Sequence, residues 1–232
     1  MKKIGIIFAM EEELNAIRKY LTVTKERKIY ELTFIEGIIN NKECILVQSG
    51  VGKVNAARTT QILIDNYDID CIFNAGVAGG IDDSLNVGDI VISKFLVQHD
   101  FDITAFDHEK GYIPNTDIYI ESDKYLASLA EKTIKSINGN SVKIGTIASG
   151  DIFVTEKSMS EKIHSRFNAL CVEMEGASIA QVCYLCKIPF LILRSISDVP
   201  NNNNKITYEE FLEESTKVIA ESLNNLLGQL NN

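Results

Sequence analysis

Apolar and polar positions fall in short blocks whose period changes along the chain. Lys3 to Met10 is an apolar run of strand length, and Glu11 to Tyr20 then reads as a helix. Three glutamates sit at that junction. Ile29 to Ile39 and Glu43 to Gln48 read as paired strands about the turn Ile39-Asn40-Asn41-Lys42. A helix follows from about Val54 to Asp65. Asp70 to Asn74 reads as a strand running into a glycine loop, Ala75-Gly76-Val77-Ala78-Gly79-Gly80. Glycines directly after a buried strand let backbone approach a ligand or another strand closely. Asp89 to Gln98 is a further strand. His99 to Pro114 reads as a loop long enough for a lid or a partner surface. Ser122 to Ser136 is a helix, Val142 to Ala148 a strand and Lys157 to Arg166 a short helix.

Ala169 to Asp198 carries the densest pattern. An apolar approach reaches Glu173-Met174-Glu175. Gly176 opens a segment with apolar residues every three or four positions, and Phe190 to Leu193 is a buried-strand run after Pro189. Strand, helix and strand thus place two acids at one strand end and Arg194, Ser197 and Asp198 at another. In open α/β sheets, ligands bind outside the carboxyl ends of strands. The acids also suit solvated positions at a helix N-terminus, where the dipole favours anions. After Asp198, Val199-Pro200 and four asparagines read as a turn. Thr207 and Glu210 have capping-box spacing before a last helix striped with leucines.

Alternating strands and helices, without an internal repeat, predict one α/β domain over residues 1–232. Its architecture is a three-layer α/β/α sandwich around a central mixed β-sheet. The 232 residues, 45% of them hydrophobic, suffice for a substantial core. A net charge of −9 argues against nucleic acid or an anionic membrane as partner. No apolar span approaches the roughly 18 residues of a membrane helix. The five cysteines sit in apolar surroundings, which suits reduced thiols and a cytoplasmic location. Cys183 and Cys186 fall one helical turn apart with no second pair nearby, and the three histidines lack ligand spacing. Neither a metal nor a cofactor is expected. Gly52-Lys53 imitates a phosphate loop, but Val47 and Val54 stand where that loop needs glycine and a hydroxyl residue.

What remains at the strand ends is separated carboxylates, an aromatic and soft apolar surface. That set suits cleavage at a sugar's anomeric carbon. One acid protonates the leaving group, another activates water, and the sugar passes through an oxocarbenium-like state. A third carboxylate, being an acceptor only, can hold two ribose hydroxyls.

At these residues the sequence resembles the 5′-methylthioadenosine/S-adenosylhomocysteine nucleosidases of the purine nucleoside phosphorylase superfamily. The resemblance covers nearly the whole chain. It is carried by Ile4–Glu13, Ser49–Lys53, Asn74–Gly80, Val87–Val91, His99–Phe106, Ser149–Asp151, Val172–Glu175 and Arg194–Asp198. It implies a nucleoside phosphorylase-like sheet and hydrolysis of an adenine nucleoside. Asp198, oriented by Ser197, would protonate N7 of adenine, and Glu13 would activate the attacking water. Glu175, with Met174 nearby, would bind the ribose hydroxyls, with Arg194 supporting the pocket. Phe153 would stack on adenine and the Val154 backbone would read its edge. Val77, Ala78 and Gly79 of the glycine loop would line the site. Met10, Val51 and Tyr208 would line the ribose and alkylthio side. Ile103, Phe106 and Pro114 would close the alkylthio end across a homodimer interface. Val77 replaces a hydroxyl residue common in the family, and His108 replaces a common phenol.

Two other readings fit a similar pocket: a phosphate-dependent phosphorylase, and a non-catalytic nucleoside-binding module. The first strand ends in Met10-Glu-Glu-Glu13, and a carboxylate within about 4–6 Å of a phosphate repels it in a partly buried site. That favours water as the nucleophile.

Overall fold

β5 (Cys71–Gly80) belongs to two parts of one sheet, which the computed structural model describes for residues 1, 3–137, 141–199 and 204–230, with side chains for all of these except 137 and 204–207. The first half of β5 pairs in parallel with β1 (Lys3–Phe8). Beyond β1 come the parallel β4 (Lys42–Gln48), then the antiparallel β3 (Leu32–Ile39) and β2 (Thr22–Ile29). β10 (Phe190–Asp198) runs parallel along the other side of β5. From β10 the sheet continues through β6 (Ile90–Gln98), β8 (Val142–Ser149) and β9 (Ala169–Glu173). β9 returns to β5 at Gly79 and Gly80. Five strands therefore close a ring, and the rest extend from it as an open sheet. The two-residue β7 (Ile120–Glu121) adds to β6.

Helices cover both faces. Successive strand residues point to opposite sides, so each apolar strand feeds two cores. Ile6, Phe73 and Leu193 join α1 (Glu11–Arg18), α3 (Lys124–Ile137) and α6 (Asn204–Gln229) in one core. Their neighbours Ile7, Ile72 and Ile192 join α2 (Lys53–Asn66) and α5 (Gly176–Cys186) in the other. α4 (Lys157–Phe167) packs beside β9. The layers are those that the sequence pattern predicts. No helix among the described residues is long and apolar enough to cross a membrane.

Four boundaries differ from expectation. The run Ile29 to Ile39 is broken at Tyr30, whose φ of 54° makes a turn, and β2 precedes it. β2 is almost entirely exposed and reads T-V-T-K-E-R-K-I, so it has no apolar alternation to reveal it. Backbone bonds to β3 hold it at the sheet edge. The glycine segment Ala75–Gly80 is the second half of β5, not a loop. β10 continues to Asp198, beyond the apolar run, because β5 and β6 flank it and bury its serines. α6 begins at Asn204, which puts Thr207 and Glu210 inside the helix instead of at its cap. Of the turn expected from Val199 to Asn204, residues 200–203 lie outside the described residues, and Asn204 is already helical.

Candidate active site

β1, β4, β5 and β10 are mutually parallel, so their carboxyl ends open together. A pocket of about 330 Å³ lies there. Ala9, Met10 and Glu13 enter it after β1, Val51 after β4, and Val77 to Gly79 from β5. Ser197 and Asp198 close one side from β10. Ile152 to Val154 after β8, Val172 to Glu175 at β9, and Tyr208 and Glu209 of α6 complete the wall.

Glu13 is buried in the first turn of α1. Its Oε2 accepts the Ala9 N–H at 2.9 Å and the Met10 N–H at 3.1 Å. The Met10 bond is the back-reaching half of a capping box. Its Oε1 accepts the Val77 N–H at 3.1 Å. Burial pushes the Glu13 carboxyl up from its ordinary value, while the Arg194 charge and these three N–H donors pull the other way. Oε2 is fully engaged; Oε1 keeps a lone pair for a further donor.

The β5 glycines make room for the acids. A Cβ on Gly76 would collide with the Glu13 carboxylate, and one on Gly79 would stand 3.3 Å from Asp198 Oδ2. Glu13 and Asp198 thus lie over one strand, three residues apart. Asp198 is buried, and Ser197 Oγ donates to its Oδ1 at 2.8 Å.

Glu173 and Glu175 flank the start of α5. Glu173 is ion-paired with Arg194 and accepts a hydrogen bond from Ser149 Oγ. Its Oε2 also accepts the Glu175 N–H at 3.0 Å and the Gly176 N–H at 2.7 Å, anchoring the helix N-terminus. Glu175 Oε1 accepts the Gly52 N–H at 2.8 Å. Burial, and next the Glu173 charge, push the Glu175 carboxyl well above the usual carboxylate range. Arg194 also donates to Asn74 Oδ1 and to the Leu193 carbonyl.

Phe153 stands at the mouth, 45% exposed, with its ring edge-on to Tyr208 at 5.7 Å between centroids. The Tyr208 hydroxyl donates toward the Met10 sulfur at 3.1 Å. Together they frame a flat apolar slot above the acids.

The residues singled out from sequence separate into two groups. Glu13, Asp198, Met10, Val51, Val77, Ala78, Gly79, Phe153, Val154, Met174, Glu175, Ser197 and Tyr208 all reach this pocket. Arg194, 2% exposed, lies behind its wall. Ile103, Phe106 and Pro114 do not line it, and Phe106 is 76% exposed. Sequence reasoning gave no site role to Ala9, Ile152, Val172 and Glu209, which also line the pocket. Position beside a chosen residue was their only signal. Glu173, read from the sequence as one of two acids at a strand end, lines the pocket too, and its ion-pair partner Arg194 is 21 residues away.

Chemically, the pocket offers the carboxylates of Glu13, Glu173, Glu175, Asp198 and Glu209 beside an aromatic mouth, and no lysine or arginine among its described lining residues. The comparisons with known proteins agree with that content. The family model described as the phosphorylase superfamily matches residues 3–229. The chain is 43% identical to the 5′-methylthioadenosine/S-adenosylhomocysteine nucleosidase of Staphylococcus carnosus, over 98% of this chain and all of that one. It superposes on the Helicobacter pylori nucleosidase of the same name bound to butyl-thio-DADMe-Immucillin-A. There the TM-score is 0.95, with 39% identity and 99% of each chain covered. A Helicobacter pylori aspartate-to-asparagine mutant with 5′-methylthioadenosine in its active site gives a TM-score of 0.95. Its identity is 38%, over 99% of this chain and 100% of that one.

Proposed function

We infer, for a chain that belongs to the phosphorylase superfamily and within it to the 5′-methylthioadenosine/S-adenosylhomocysteine nucleosidases, that it hydrolyses the N-glycosidic bond of these two nucleosides. Adenine and the 5-thioribose product are released. The observation that carries the mechanism is the placement of Glu13 and Asp198 over Gly76 and Gly79 of a single strand, in one pocket.

Asp198 delivers a proton to N7 of adenine as the bond from C1′ to N9 breaks, with the Ser197 hydroxyl fixing which carboxyl oxygen faces the base. Electrons of the breaking bond pass to the protonated base, leaving an oxocarbenium-like sugar. Water adds to C1′ and gives its proton to Oε1 of Glu13, the oxygen with spare acceptor capacity. Burial suits Glu13 to this task, because a base poised nearer neutrality accepts a proton more readily. Glu175 accepts the ribose hydroxyls, and Phe153 stacks on adenine. Arg194 acts from behind, compensating the charge of Glu173.

Water is favoured over phosphate by electrostatics. The described lining carries Glu13, Glu173, Glu175, Glu209 and Asp198 without a cationic side chain. A phosphate dianion needs arginine or a cluster of free amide donors. The retained 5′-methylthioadenosine in the Helicobacter pylori mutant supports an acid needed for cleavage more than for binding.

The reading extends to the whole chain as one nucleosidase domain acting as a homodimer. Ile103, Phe106 and Pro114 of each protomer then close the alkylthio end of the partner's pocket. The five thiols are unpaired, which supports a cytoplasmic setting. Adenine release from 5′-methylthioadenosine, measured with and without inorganic phosphate, tests the function. Equal rates are expected; a requirement for phosphate overturns hydrolysis.

A further inference from the structure

Behind the pocket, three residues form a closed ring of hydrogen bonds. The Lys53 N–H donates to Asp151 Oδ1 at 2.8 Å, and the Asp151 N–H donates to Asp100 Oδ2 at 2.9 Å. Lys53 Nζ closes the ring on Asp100 Oδ1 at 2.6 Å. Gln98 Oε1 accepts a second bond from Nζ at 3.1 Å, and Gln181 holds Gln98 in turn. The ring joins the segments that follow β4, β6 and β8. No member of it lines the pocket. The Lys53 and Asp100 side chains are both less than one-fifth exposed, so their attraction is screened less than that of a surface pair.

What the ring holds is the peptide joining Gly52 to Lys53, through the Lys53 N–H. Gly50 and Gly52 have φ of 82° and 101°, conformations available to glycine but rarely to other residues. Such a turn has little stiffness of its own. Asp151 Oδ1 closes over it from the Lys53 N–H, leaving so little room that a Cβ added to Gly52 would stand 3.2 Å from that oxygen. The Gly52 N–H, fixed in this way, points at Glu175 Oε1.

We propose that Asp151, held by Asp100 and Lys53, is a positioning residue that aims Glu175 at the ribose hydroxyls through the Gly52 N–H. The inference rests on the ribose role proposed for Glu175. A carboxylate with one oxygen tied to a fixed donor has few orientations left, and its other oxygen faces the sugar. Released from the ring, the two-glycine turn relaxes and Glu175 Oε1 loses the main-chain donor that fixes it. Ribose recognition weakens while the acids over β5 stay in place.

The test is steady-state adenine release from 5′-methylthioadenosine by the full-length wild type, Asp151→Ala and Asp151→Asn, and by Asp151→Ala combined with Glu175→Gln. Loss of one positioning hydrogen bond is expected to raise KM about tenfold in Asp151→Ala, with kcat changed less than about threefold. Asparagine keeps an acceptor oxygen and is expected to hold KM within about twofold of wild type. In the Glu175→Gln background, Asp151→Ala is expected to add nothing further. Should Asp151→Ala fail to fold, Lys53→Met, which removes only the Nζ arm, is expected to raise KM in the same direction. An unchanged KM in the alanine or methionine variant overturns the inference. So does an equal rise in Asp151→Ala and Asp151→Asn, or an additive loss in the double variant. A wild type that releases no adenine removes the parent reading first, and is distinct from all of these.

Discussion

Gly76 faces Glu13 so closely that a methyl group at residue 76 would overlap the carboxylate oxygen. The same oxygen accepts the Val77 N–H, so strand β5 both leaves space for Glu13 and fixes it. Gly76→Ala is therefore expected to swing the carboxylate off the water site. The expected loss in kcat is about 10²-fold or more, the lower end of what a general base contributes. Binding of free adenine, which touches the far side of the pocket, should stay near wild type. Steady-state kinetics and adenine titration check this, and an unchanged kcat would mean that Glu13 tolerates displacement.

Arg194 and Glu173 form a buried ion pair, 2% and 3% exposed. Removing one partner leaves an uncompensated charge that is almost wholly buried. Arg194→Met is expected to lower the unfolding free energy by about 3–5 kcal/mol, read from urea denaturation of the unliganded protein. A loss below about 1 kcal/mol would place Arg194 in a solvated setting.

Glu175 and Glu13 both have carboxyl groups pushed up by burial. For such groups the folded state holds its proton more tightly than the unfolded chain does. Their contribution is present below the ordinary carboxylate pKa and is lost as pH rises through the raised folded value. Glu175→Gln carries no charge at any pH. Its Tm relative to wild type is expected to climb as pH rises above the ordinary carboxylate range. A pH-independent difference between the two proteins would contradict the burial of this charge.

Phe153 and Tyr208 meet edge to face at the mouth. Stacking of a base on an aromatic ring is worth about 1–3 kcal/mol, so Phe153→Ala should weaken adenine binding by roughly 10- to 100-fold. Phe153→Tyr should bind within a few-fold of wild type. Calorimetry on free adenine separates this effect from anything at the ribose.

The layers of the fold were legible because β1, β5 and β10 each carry an apolar run, and Ile6/Ile7 or Ile72/Phe73 feed opposite faces. β2 was not, since its side chains are solvated and only main-chain bonds to β3 define it. The glycine segment misled for a related reason. Without side chains it carries no periodicity, yet Gly76 and Gly79 are strand residues whose missing Cβ atoms accommodate two acids. In the site, strand-end carboxylates were readable one by one. Their grouping came from the family resemblance and not from spacing, because Glu13 and Asp198 come from opposite ends of the chain and meet only across β5. The Lys53, Asp100 and Asp151 ring left no pattern at all, as its members are 47 to 98 positions apart.

The most direct measurement is single-turnover cleavage of 5′-methylthioadenosine by Asp198→Asn and Glu13→Gln, alongside calorimetric binding of the intact nucleoside. Both variants are expected to bind it within about tenfold of wild type and to cleave it about 10²–10⁴-fold more slowly. Wild-type cleavage by either variant would contradict the division of labour between the two acids.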